Sequence, residues 1–161
     1  MHKLISSLFK MGHPKKRLST PRPNPFVLME IWKRLVHNYF PERADLLNYR
    51  VCWSARRQKR TLASCHIKQR KVRVARELSA PEHACRLEPL LYHEMCHAVL
   101  GEEMALSYRS RGMKVPWHGT EFRALEVKHP KSRELEAWIK GGGWSRAVRS
   151  SRARESYAKR R

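Results

Sequence analysis

From Pro25 onward, apolar residues recur at spacings of three and four: Val27, Leu28, Ile31, Trp32, Leu35, Val36 and Tyr39, until Pro41 closes the run. That period belongs to a helix with one face on a core. After a short helical piece near 43–47, the period shifts toward two. Segments 50–54, 61–67 and 71–75, rich in Val, Ile, Thr and Trp, predict three short strands joined by basic turns. An antiparallel meander is the simplest arrangement of three such strands. A loop over 78–85 leads to a second helix over 87–101, in which Leu87, Leu91, Met95 and Ala98 form the apolar stripe, Pro89 falls in a first turn and Gly101 is a C-cap. Residues 102–115 show no clear period and predict a loop around a weak helical turn. A helix capped by Thr120 runs to Lys128 before Pro130. Leu135, Trp138 and Ile139 mark a last short helix that Gly141, Gly142 and Gly143 break.

The chemistry sits on the second helix, on the side away from its apolar stripe. His93, Glu94 and His97 follow the order His-Glu-x-x-His. At roughly 100° per residue, the two histidines stand one turn apart and about 40° from each other, so both imidazoles can reach one metal ion. Glu94 beside them is placed to take a proton from a water on that metal, the arrangement of zinc metallopeptidases. A catalytic zinc site takes three protein ligands and keeps a position for water. The metzincin spacing is excluded, because Leu100 and Glu103 stand where it requires a Gly and a His. Glu121, Glu126 and His118 all remain open as the third ligand. Tyr92, Tyr108 and Arg109 are candidates for stabilising an oxyanion.

Charge adds a second theme. The 161 residues carry 35 Lys and Arg against 14 Asp and Glu, a formal net charge of +21. An imbalance of that size points to polyanions, nucleic acid before membrane. The cations cluster in the strand connections, as Arg56, Arg57, Lys59 and Arg60 and then Lys68, Arg70 and Lys71, and again in the tail as Arg146, Arg149, Arg152 and Arg154, where Trp144 and Tyr157 are available to stack on bases. Residues 1–24 form a basic arm without acids, expected to be disordered, although a targeting segment of that composition is conceivable. The tail over 141–161 is likewise expected to be disordered. Cys52, Cys65, Cys85 and Cys96 make no Cys-x-x-Cys pair, which excludes a zinc ribbon, and they read as reduced thiols of a cytosolic protein. No apolar run approaches the roughly 20 residues that span a membrane.

The strand segments VCWSARRQKRTLASCHI and KVRVAREL, the run LLYHEMCHAVLG and then HGTEF together resemble the SprT-like family of zinc metallopeptidases over residues 51–122. The last of these matches the family's His-Gly-x-x-Phe element, whereas Ala63 and Ser64 stand where a Gly often precedes the Cys of the second strand. The resemblance implies an α+β, zincin-like core: an N-terminal helix, a three-stranded antiparallel sheet, the His-Glu-x-x-His helix and a following helix carrying the third ligand, all within residues 25–140. It also implies one Zn2+ held by His93, His97 and His118, with Glu94 as general base. The expected protein is a monomeric endopeptidase acting on proteins bound to DNA, with RNA as a further candidate polyanion and no membrane partner. It would be cytoplasmic and nucleoid-associated, or nuclear in a eukaryote. The alternative is a basic nucleic-acid-binding module whose metal site is structural or inert.

Overall fold

The structure, a computed structural model, describes residues 23–160. The 1–24 arm therefore lies almost wholly outside the described residues. Helix α1 (Phe26–Tyr39) buries Leu28, Trp32, Leu35 and Val36 of the stripe that its period predicts, with Ile31 and Tyr39 partly buried and Val27 exposed. A 3-10 turn, Ala44–Asn48, brings Leu46 under it, and Trp32 Nε1 donates to the Leu46 carbonyl at 2.9 Å, so the indole enters the core without an orphaned N–H.

Strands β1 (Arg50–Trp53), β2 (Ala63–His66) and β3 (Lys71–Val74) follow. Their order is β1-β3-β2, and the sheet is mixed, which corrects the expected antiparallel meander. β2 and β3 form an antiparallel hairpin with Cys65 opposite Val72, whereas β1 runs parallel to β3 with Val51 opposite Val72. Burial explains the order. β3 sends Val72 and Val74 fully into the core, so it takes the middle and is paired on both edges. The connection over 54–62 then carries the chain across to the far side of β3. It is tied down at both ends, with Ser54 N–H donating to Val74 O at 2.7 Å and Ala75 N–H to Leu62 O at 2.7 Å.

Helix α2 (Ala84–Ser110) lies against β2 and α1. Leu87, Leu91, Met95 and Ala98 are buried, as their spacing predicts. Two expectations are corrected here. Pro89 lies inside the helix rather than in its first turn, and Gly101 does not end the helix but kinks it. At φ 63° and ψ −161°, Gly101 occupies a conformation that a side chain disfavours, and the chain resumes a helical course to Ser110 in place of the expected loop.

Helices α3 (Thr120–Glu126) and α4 (Ser132–Lys140) complete the elements that the periodicity predicts. Gly119, not Thr120, occupies the N-cap of α3, and no side-chain cap is made there. The tail is not disordered: α5 (Gly143–Arg160) is a helix that buries Trp144, Ala147 and Val148 against the core. Its inner face is fastened by Trp144 Nε1 to the Lys59 carbonyl (3.0 Å), by Arg154 to Glu82 (2.6 Å) and by an Arg57–Glu155 ion pair. The turn into α5 needs glycine, because a Cβ on Gly143 would lie 2.3 Å from the Trp138 ring. Gly143→Ala is expected to destabilise the protein by about 1–3 kcal/mol, the cost of overpacking, read as a fall in Tm. No helix among the described residues is long and apolar enough to cross a membrane.

Candidate metal centre

His93 and His97 project from one face of α2, one turn apart, and their ring centroids are 5.2 Å apart. His118 reaches them from another element. The chain leaves α2, turns tightly at Pro116, whose carbonyl accepts from the Gly119 N–H at 2.8 Å, and starts α3 at Thr120. That turn brings the His118 ring to 5.2 Å from His93 and 4.9 Å from His97. One donor atom from each of the three histidines lies within 4.8 Å of the other two.

Phe122 is the floor of this arrangement. It is 1% exposed, and its ring lies 4.9, 4.5 and 4.8 Å from those of His93, His97 and His118. An aromatic ring packed against all three imidazoles restricts their rotamers, so their convergence is built before any ligand arrives. His118 lies in the turn just before α3, and Phe122 in the first turn of that helix, so the two reach the cluster from adjoining positions.

The donor chemistry suits a metal. His93 Nδ1 lies 2.6 Å from Glu126 Oε1, which assigns the Nδ1 proton to that bond and leaves Nε2 as the free donor atom. The hydrogen bond from His93 holds the Glu126 carboxyl below the usual carboxylate range. Burial, reinforced by His93 and His118, lowers the His97 imidazole to about 4, and burial together with His93 also lowers His118. The rings of His97 and His118 thus disfavour protonation and keep lone pairs available. Three imidazole nitrogens with an open side toward a cleft fit a zinc ion with a position left for water. Glu126, open as a third ligand from sequence alone, instead orients His93, and Glu121 is exposed on α3, outside the cluster formed among the described residues.

Glu94 is 5% exposed. Burial pushes its carboxyl up to about 7, against the opposing effects of His93 and of a hydrogen bond from the Cys65 backbone. A carboxyl balanced near neutrality can accept a proton and give it back. The Cys65 link also ties α2 to β2, whose residues Ala63 to His66 line one wall of a cavity of about 680 Å³. Ala105, Leu106 and Arg109, on the helical segment beyond the Gly101 kink, also line it, together with Trp117. Sequence periodicity missed that segment.

Of the three candidates for stabilising an oxyanion, only Arg109 lines the cavity. Tyr92 is fully buried and donates to the Leu125 carbonyl at 3.0 Å, while Tyr108 carries the Arg111 guanidinium over its ring at 4.8 Å. The basic residues divide into two groups. Arg56, Arg57, Lys59 and Arg60 sit on the 54–62 connection beside α5, which bears Arg146, Arg149, Arg152 and Arg154. Lys68, Arg70 and Lys71 lie at the β2–β3 turn, at the other end of β2, and Lys68 borders the cavity.

A search of curated proteins and a search of solved structures returned no match. The SprT-like family profile matches residues 28–138, from the first buried residue of α1 into α4, more than two thirds of the sequence. With its strands, its His-Glu-x-x-His helix and its third histidine all inside that span, the chain belongs to the SprT-like family, whose members are zincin-like metallopeptidase-type domains.

Proposed function

We propose that this protein is a zinc-dependent endopeptidase acting on proteins associated with DNA. The observation that carries the catalytic half is the convergence of His93, His97 and His118 beside a buried Glu94 at the base of an open cleft. When bound there, zinc supplies Lewis acidity to a peptide carbonyl and acidifies a water. Glu94 receives the proton of the attacking water and returns it to the leaving nitrogen, the role for which a carboxyl near neutrality is suited. Glu126 holds the His93 ring in one tautomer and one orientation, and Phe122 keeps the three imidazoles from rotating apart. β2 is an edge strand along the cleft, so an extended substrate can pair with its backbone while Ala105, Leu106 and Trp117 cover the substrate's side chains.

The orienting bond can be tested by itself. Glu126→Gln is expected to weaken zinc binding by ~10–100-fold, the usual cost of removing a group that positions a ligand. Competition with a chromophoric chelator measures it, and unchanged affinity would mean that the 2.6 Å contact does not orient the ring.

The DNA half rests on the net charge of +21. Enzyme and substrate protein held on one duplex meet at raised effective concentration, so DNA promotes cleavage without any new contact in the cleft. The same charge favours a second reading, a basic nucleic-acid-binding module whose metal site is structural or inert. Metal analysis of the purified protein, with cleavage of a DNA-bound protein in the presence and absence of DNA and of a chelator, separates the two. Chelator-sensitive cleavage supports the peptidase, and zinc-replete protein that cleaves nothing supports the module.

A further inference from the structure

Two basic segments 85 residues apart in sequence meet in the fold, since Trp144 Nε1 of α5 donates to the Lys59 carbonyl of the 54–62 connection. That connection is fixed at several more points. Gln58 N–H donates to the buried Glu77 at 2.7 Å, Ser54 Oγ donates to the Arg56 carbonyl at 2.8 Å, and Arg57 is paired with Glu155. The acids nearby are thus spent inward: Glu77 is 3% exposed, and Glu155, the one acid of α5, is taken by Arg57. Arg56, Lys59 and Arg60 remain on the outside of the connection, and among the described residues none of them has a carboxylate partner.

The same sorting governs α5. With Trp144, Ala147 and Val148 turned inward, helical geometry turns Arg146, Arg149 and Arg160 outward. Arg146 is steadied by the Gly141 carbonyl at 2.7 Å, a neutral acceptor that leaves its charge uncompensated. From Arg146 to Arg160 the face extends about 21 Å. Of the two aromatic residues that the sequence left available for stacking, Trp144 is 7% exposed and bonded at its indole nitrogen, whereas Tyr157 is 59% exposed on α5. A rigid, acid-free array of guanidinium and ammonium groups matches regularly spaced phosphates, and with one exposed ring on α5 it offers no row of aromatics on which successive unpaired bases could stack.

We propose that the outward face of α5 and the 54–62 connection form one preformed docking surface for duplex DNA, contacting phosphates without reading sequence. The proposal rests on the DNA-associated reading above and specifies where that association occurs. Of its two parts, the 54–62 connection lies within the residues matched to the family, and α5 begins after residue 138, where that match ends.

Binding of the full-length protein to random-sequence duplex DNA, measured across a salt series, tests this. Two paired variants address the surface, Arg149→Gln with Arg160→Gln on α5, and Arg56→Gln with Arg60→Gln on the connection. A third pair, Lys68→Gln with Lys71→Gln, removes the same charge at the other end of β2, and thermal melting checks that all three remain folded. Each of the first two pairs is expected to flatten the slope of log K against log salt by about 2, roughly one for each phosphate no longer neutralised, and the third to leave it unchanged. A flattened slope in the third pair alone would overturn the proposed surface while leaving DNA association standing. Tighter binding to single-stranded DNA or to duplex RNA than to duplex DNA would also overturn it. Failure of the wild-type protein to bind duplex DNA would overturn both the surface and the DNA half of the proposed function.

Discussion

Glu94→Gln is expected to keep its zinc and its DNA affinity and to lose peptidase activity by ~10²–10⁴, the usual contribution of one general acid or base. The amide is nearly isosteric with the carboxyl, so the buried site is not emptied, and a carbonyl oxygen remains for the hydrogen bond from the Cys65 backbone. What disappears is a group able to bind and release a proton. Hydrolysis of an amide needs both operations, since the water must be deprotonated and the amine, a poor leaving group, must be protonated. The measurement is cleavage of a DNA-bound protein by wild type and variant, each with zinc content determined. Equal rates at equal zinc would sink the role given to Glu94. Equal rates with and without DNA, by contrast, would remove only the recruitment half of the proposal.

The second large effect is expected at His118. His118→Ala leaves His93 and His97, whose centroids are 5.2 Å apart on one helix, as the remaining imidazoles. Two such groups make a weak site, so zinc affinity is expected to fall well beyond the ~10–100-fold predicted for removal of the orienting Glu126. The fold itself should survive, because the His118 side chain is exposed and the apolar anchor of α3 is Phe122 beneath it. Zinc content after dialysis, measured together with the melting temperature of the metal-free protein, separates ligand loss from unfolding. Full occupancy in His118→Ala with loss in Glu121→Ala instead would reassign the third ligand.

Period and spacing carried much of this site. The stripe of Leu87, Leu91, Met95 and Ala98 located the helix and, by exclusion, the face on which His93 and His97 lie, because a helix repeats locally and its two faces are fixed by the residues themselves. The third histidine was a different matter. Spacing left His118, Glu121 and Glu126 equal, and the family resemblance chose among them. The structure gives the physical difference: the turn closed by Pro116 and Gly119 brings His118 to the cluster, and the end of α3 brings Glu126 to the far nitrogen of His93.

The tail shows why charge alone misleads. Its arginine content predicts disorder, yet Trp144, Ala147 and Val148 at spacings of three and four supply a narrow apolar stripe, and the charges beside it find partners, Arg154 at Glu82 and Glu155 at Arg57. Those partners lie 72 and 98 residues away in the sequence, so no local pattern displays them. The cleft lining beyond Gly101 was hidden for a related reason. Gly101 is a sound stop signal, but the chain beyond it resumes as a helix because Met104 and Ala105 find a buried surface to cover.

The sequence by itself determined the α+β composition, the helix that bears the paired histidines and glutamate, the positions of three short strands and the excess of positive charge, all of which depend on residues near one another in the chain. Only the tertiary structure decided the parallel pairing of β1 with β3, the course of the chain past Gly101, the binding of Glu126 to His93 and the joining of α5 to the 54–62 connection. Each of these depends on contacts between segments distant in sequence. Such contacts are selected by what buries the apolar surface of the whole chain and satisfies its buried polar groups at once, a condition that no single segment can express.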